Sequence, residues 1–227
     1  MSRARCCLVG VLACAGVGMA WGRGAGAPDD PGALDTVRLA LVDHGGVRAG
    51  RCFSAGFLEL LSFESTIRVS RELDRVDLHS DRLFDYPLAI LTGEGEVALN
   101  DAERDNLRRY LRAGGTMIVS AGCSNPLWAA SIRREIKAAF PEASLAPVPR
   151  DHPVFHAVFE VADLVTTKGK PGSLLGLWVE GRLALIYSPE GLNDTASAGG
   201  SCCCCGGDEI RQARYLNANL VAVALSR

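Results

Sequence analysis

Nine cysteines punctuate the 227-residue sequence, and four of them are consecutive. Cys202, Cys203, Cys204 and Cys205 run between two Gly-Gly pairs in GGSCCCCGGDEI. The glycine flanks let the backbone bend sharply. In a regular strand, neighbouring side chains point to opposite faces. The thiols therefore converge on one ion only in a bent loop, where two or three can meet and Cys123 or a histidine can complete the shell. Thiolates select Zn(II), Cu(I) or an iron–sulfur cluster. Disulfides are the competing use. Adjacent cysteines pair poorly, because the small ring strains the peptide between them, and the distant partners are Cys52 and Cys123. At least one bridge would then fall inside the quartet. Metal binding, disulfides and redox cycling all remain open for these residues.

Cys123 stands apart, in Ala121-Gly122-Cys123-Ser124 between an apolar run and a helical segment. A helix N-terminus lowers a thiol's pKa and makes thiolate available. Nucleophilic use needs a general base. His44, His152 and His156 are the candidates, since His79 lies in a loop. His152 and His156 sit in DHPVFH, where Pro153 favours a turn and a short helical segment. His152 reads as a cap, and His156 beside Val154, Phe155, Val158 and Phe159 reads as a packed residue with one hydrogen bond. Either is also a possible metal ligand. Asp43-His44-Gly45-Gly46 follows the first apolar run, and Gly93-Glu94-Gly95 follows the third. Open α/β sheets bind ligands at such strand ends. His44 and Glu94 are therefore possible ligand-site residues, although a plain turn also accounts for each.

The elements that must position these residues follow from the apolar pattern. Residues 37–42 (VRLALV), 88–92 (LAILT) and 116–120 (TMIVS) read as buried strands, with shorter strands expected at 67–69 and 76–78. Phe53, Phe57, Leu60 and Leu61 fall at helical spacing. Asn100 and Glu103 make a capping box, Leu107, Tyr110 and Leu111 mark an inner face, and Gly114-Gly115 stops that helix. Pro126 suits the first turn of the next helix, which Pro141 halts. Strands and helices alternating in this way predict an α/β fold, a mostly parallel sheet covered by helices on both faces. Runs 175–179 and 182–187 flank Glu180-Gly181 as a hairpin, expected as an antiparallel addition at the sheet edge. A last helix is expected over about 208–225, opened by the quartet. Cys123 and the quartet then lie at two helix N-termini on one edge of the sheet.

Six stretches together resemble one known family: TIRVSRELDRVDL, FDYPLAILTGEGEVALNDAERDNLRRYLRAGGTMIV, IRREIKAAFP, DHPVFHAVFEV, GRLALIYSPEGL and LNANLVAVAL. In that order they resemble DUF4159, an uncharacterised bacterial domain. The resemblance implies a flavodoxin-like, class I glutamine-amidotransferase-like fold and, for many members, export; it implies no activity. Amidotransferases of that fold place a nucleophilic cysteine on a strand-to-helix elbow, the position of Cys123. Their Gly-x-Cys-x-Gly turn has Asn125 here in place of the second glycine. Their late His-x-Glu pair is missing, because no acid lies between or just after the histidines of DHPVFH.

Compartment limits the metal chemistry. Arg3 and Arg5 precede an uncharged apolar stretch, and Gly18-Met19-Ala20 offers small residues for a peptidase. Residues 1–21 read as a secretory signal peptide, too short to be a convincing membrane span. Residues 22–34 read as a flexible leader, and 35–227 as the α/β domain. Cys6, Cys7 and Cys14 leave with the signal peptide. A lipoprotein anchor at Cys14 fits poorly, and the arginines are not adjacent, so a twin-arginine signal is absent. The expected location is periplasmic or extracellular. A net charge of −2 gives no reason to expect a nucleic-acid partner. The reading that follows is an exported, non-catalytic binding module holding Zn or Cu(I) through Cys123 and Cys202 to Cys205. Metal acquired outside the cytoplasm disfavours an iron–sulfur cluster. The alternative is a cysteine-dependent hydrolase or thiol redox enzyme centred on Cys123.

Overall fold

The computed structural model describes residues 36–46, 50–198 and 207–226. The expected signal peptide, the leader and the quartet Cys202 to Cys205 lie outside the described residues. Apolar runs become strands where expected: β1 (Val37–Asp43), β3 (Leu88–Gly93) and β4 (Thr116–Ala121). β4 is buried along its whole length, as a central strand covered on both faces must be. The two short strands expected at 67–69 and 76–78 are one strand, β2 (Val69–Asp77). β2 lies at the sheet edge, so its charged and half-buried residues interrupt the apolar signal.

The hairpin forms as β6 (Leu175–Val179) and β7 (Arg182–Ser188). Glu180 and Gly181 both have positive φ, 52° and 78°, as a two-residue turn matching strand twist requires. Its place in the sheet differs from the expectation. β7 lies inside the sheet, parallel to β4, and β6 runs antiparallel to both its neighbours, β7 and the two-residue β5 (Ala146–Pro147). The order is β2-β1-β3-β4-β7-β6-β5. The result is a mixed α/β fold with a seven-stranded, mostly parallel sheet.

Among the described residues there are four α-helices, two on each face. α1 (Gly56–Glu64) and α4 (Ala213–Leu225) pack with Leu39, Leu41, Leu88, Ile90, Ile118 and Ile186. α2 (Asp101–Arg112) and α3 (Pro126–Ala139) pack on the alternate residues Val42, Leu91, Met117, Val119 and Leu185. Side chains one residue apart thus feed two separate cores. Each fully buried Leu, Ile or Phe contributes about 1.5–3 kcal/mol from apolar area.

α2 carries the expected capping box: Glu103 N–H donates to Asn100 Oδ1 at 2.9 Å, and Asn100 N–H donates to Glu103 Oε2 at 2.8 Å. α4 starts later than expected. Ile210 N–H donates to the Gly191 carbonyl and Arg211 N–H to the Val165 carbonyl, at 3.0 and 2.9 Å. These bonds hold the residues before Ala213 in non-helical backbone, so the quartet does not directly open this helix. No helix among the described residues is long and apolar enough to cross a membrane.

Candidate functional site

The parallel strands β1, β3, β4 and β7 end on one edge of the sheet. β1 lies between β2 and β3, so the chain reverses its direction of travel across the sheet there. Ligand crevices form at such points, beyond the carboxyl ends of the strands. Three loops from this edge bring their side chains together.

The loop after β4 supplies Cys123. It forms a single tight turn, Gly122–Ser124, with Asn125 N–H donating to the Gly122 carbonyl at 2.9 Å. Cys123 and Ser124 both occupy the left-handed region, at φ 48° and 54°. That backbone costs non-glycine residues free energy and persists where the surroundings fix it. The fixing contacts are visible. Ser124 Oγ donates to the Glu190 carbonyl at 2.6 Å. Asn125 Oδ1 caps α3 by accepting from Trp128 N–H at 3.0 Å. Gly207 packs so closely that a Cβ there would lie 2.6 Å from the Cys123 carbonyl carbon.

The loop after β3 supplies Glu94. Gly122 lies against it: a Cβ at Gly122 would come 2.7 Å from the Gly93 carbonyl oxygen. This contact sets the Cys123 thiol beside the Glu94 carboxylate, with Sγ 3.4 Å from Oε1. The segment between β1 and α1 supplies Cys52, which is buried. Ser54 N–H ties that segment down by donating to the Asn193 carbonyl at 2.8 Å. Asn193 is itself fully buried; its Nδ2 donates to Thr92 Oγ1 at 3.3 Å, and its Oδ1 accepts from Ser120 Oγ. One residue, through its side-chain amide and its backbone carbonyl, thus joins the ends of β3 and β4 to the loop carrying Cys52.

The outcome is a compact donor group. One Sγ each from Cys52 and Cys123 and one carboxylate oxygen of Glu94 all lie within 4.8 Å of one another. Two thiolates on one tetrahedral zinc sit about 3.8 Å apart at a Zn–S distance of about 2.3 Å. The bound of 4.8 Å on the three donors is about 1 Å above that separation. The group therefore has the composition of a thiolate–carboxylate metal site, and equally of a dithiol beside a proton acceptor.

The other candidate residues take different places. His44 follows β1 at the same edge and is 6% exposed. Its Nε2 donates to the Thr92 carbonyl at 3.2 Å, and its Nδ1 is buried with no partner among the described residues. Burial pushes its pKa below the ordinary 6.5, and the Thr92 carbonyl, Glu103 and Asp43 oppose that shift without reversing it. The indole of Trp128 tilts against it, with ring centroids 6.2 Å apart. His152 caps a 3-10 turn by accepting from Val154 N–H at 3.3 Å. His156 is exposed rather than packed. The turn bearing both histidines packs on α4, and neither belongs to the Cys52–Glu94–Cys123 group. The structure thus joins Cys123 to Glu94, as the sheet-edge argument allows. It adds Cys52, which sequence reading counts only among the thiols able to form disulfides.

The model of one protein family, described as Domain of unknown function (DUF4159), matches residues 38–225. The chain belongs to that family. No curated protein matches it. The match in DUF4159 spans every strand and helix described above except the first residue of β1, and all three members of the donor group. Cys52, Glu94 and Cys123 therefore all lie within the matched domain.

Proposed function

We propose that this DUF4159 protein is an exported, non-catalytic binding module that holds a soft metal, Zn(II) or Cu(I), through thiolates at the carboxyl edge of its sheet. The scaffold is read as a flavodoxin-like, class I glutamine-amidotransferase-like one; the order β2-β1-β3-β4-β7 supports that reading. The observation carrying the proposal is the convergence of Cys52, Cys123 and Glu94 within 4.8 Å. Two thiolates and a carboxylate match the donor preferences of Zn(II), and the thiolates those of Cu(I). Chain connectivity adds a further thiol to the proposal. Gly207 packs on the backbone of Cys123 and follows Cys205 by two residues. One of the quartet thiols is therefore proposed as the further ligand of a four-coordinate shell. Export through residues 1–21 is part of the same proposal, and an intact mass lowered by loss of that signal peptide tests it.

Purified full-length protein titrated with Zn(II) under anaerobic, reducing conditions is expected to bind it and lose it on thiol alkylation. Cys52→Ser and Cys123→Ser each are expected to weaken binding by tenfold or more, in line with loss of a ligand. Unchanged affinity in both variants contradicts the assignment.

A second reading is favoured by one observation. The left-handed backbone of Cys123 on a strand-to-helix turn is the kind of local strain that accompanies a nucleophile. A hydrolase centred on Cys123 predicts one thiol that alkylates quickly near neutral pH. Equal, slow alkylation of all the cysteines counts against it.

A further inference from the structure

We infer that Cys52 and Cys123 form a dithiol–disulfide couple, in which Cys123 meets an external disulfide and Cys52 resolves the adduct. The two thiols differ in access: Cys52 is buried at 3% exposure, and Cys123 is half-buried at the mouth of the edge. They lie within 4.8 Å of each other. A bridge between them brings the two sulfurs to about 2.05 Å. A reagent too large to reach Cys52 can still reach Cys123. The buried partner is then the thiol placed to attack the sulfur of the adduct.

The chemistry balances with a disulfide as the oxidant class. Cys123 Sγ attacks RS–SR, forming Cys123–S–SR and releasing RS⁻; the thiol proton passes to Glu94, 3.4 Å from Sγ, or to solvent. Cys52 Sγ then attacks Cys123 Sγ, breaks the bond to SR and releases a second RS⁻, with its proton passing to solvent. Two protein thiols are oxidised, and one external disulfide is reduced to two thiols. The couple uses the same thiols as the proposed metal site but requires no ion. The two states exclude each other, because a sulfur held in a disulfide is no longer a thiolate ligand.

The test is oxidation of the full chain by oxidised glutathione with a chelator present, so that failure of metal binding does not affect the result. Peptide mapping by mass spectrometry follows the products, in wild type and in a variant with Cys202, Cys203, Cys204 and Cys205 all replaced by Ser. The expected product in both is a Cys52–Cys123 bridge. Cys52→Ser is expected to trap a stable glutathione adduct on Cys123, and Cys123→Ser to leave Cys52 without one. The inference is overturned if the adduct on Cys123 persists in wild type as long as in Cys52→Ser. It is also overturned if Cys123 bridges to a quartet cysteine in wild type and Cys52 stays reduced both there and in the quartet variant. Circular dichroism of each variant separates loss of the couple from loss of the fold.

Discussion

At the scale of single residues, the edge of the sheet is built from side chains that forgo ordinary solvation. His44 is the clearest case. It donates one ring proton to the Thr92 carbonyl and buries the other nitrogen with no partner among the described residues. Its lowered folded pKa means that the unfolded chain binds the proton more tightly than the folded one. Stability from this residue is complete above about pH 6.5 and is lost as pH falls below that value towards the folded pKa. Chemical denaturation at a series of pH values is expected to show that fall in wild type. His44→Gln, which keeps a donor for Thr92, is expected to flatten it. A variant with the same acid-side slope as wild type refutes the assignment.

At the scale of elements, α2 fixes more than its own start. Glu103 closes the capping box with Asn100 and also accepts from Gly45 N–H at 2.6 Å, in the loop just after His44. Asn100→Ala is expected to cost about 1 kcal/mol in urea denaturation, the usual value of a cap. Glu103→Ala, which also strands the Gly45 amide, is expected to cost about 1–3 kcal/mol more. Equal costs would show that the Gly45 contact carries no weight. This helix is legible in the sequence because a capping box is a pattern of four neighbouring residues. The central strands are legible because burial on both faces leaves an unbroken apolar run. Cys52 as a partner of Cys123 is not legible. Its position depends on Ser54 bonding to Asn193, far along the chain, and on Asn193 bonding to Thr92 and Ser120. The start of α4 is hidden for the same reason. Bonds from Ile210 and Arg211 to Gly191 and Val165 override a local pattern that reads as helix.

At the scale of the whole molecule, one sheet is shared by two cores. Leu111 belongs to the core with α2 and α3, and Leu216 to the core with α1 and α4, both fully buried. Leu111→Ala and Leu216→Ala are each expected to cost about 2–5 kcal/mol. Both are expected to unfold in a single transition, since neither core survives without the strands between them. Two separable transitions would contradict that coupling. The same sheet is what brings three loops to one edge and sets two thiols and a carboxylate within 4.8 Å. The account rests on those thiols acting as metal ligands, and protein taken from its native compartment tests this most directly. Elemental analysis with a thiol count is predicted to find a stoichiometric thiophilic metal in wild type, and its loss when Cys52 and Cys123 are replaced by Ser. Metal-free wild-type protein, or metal retained undiminished by the double variant, would contradict it.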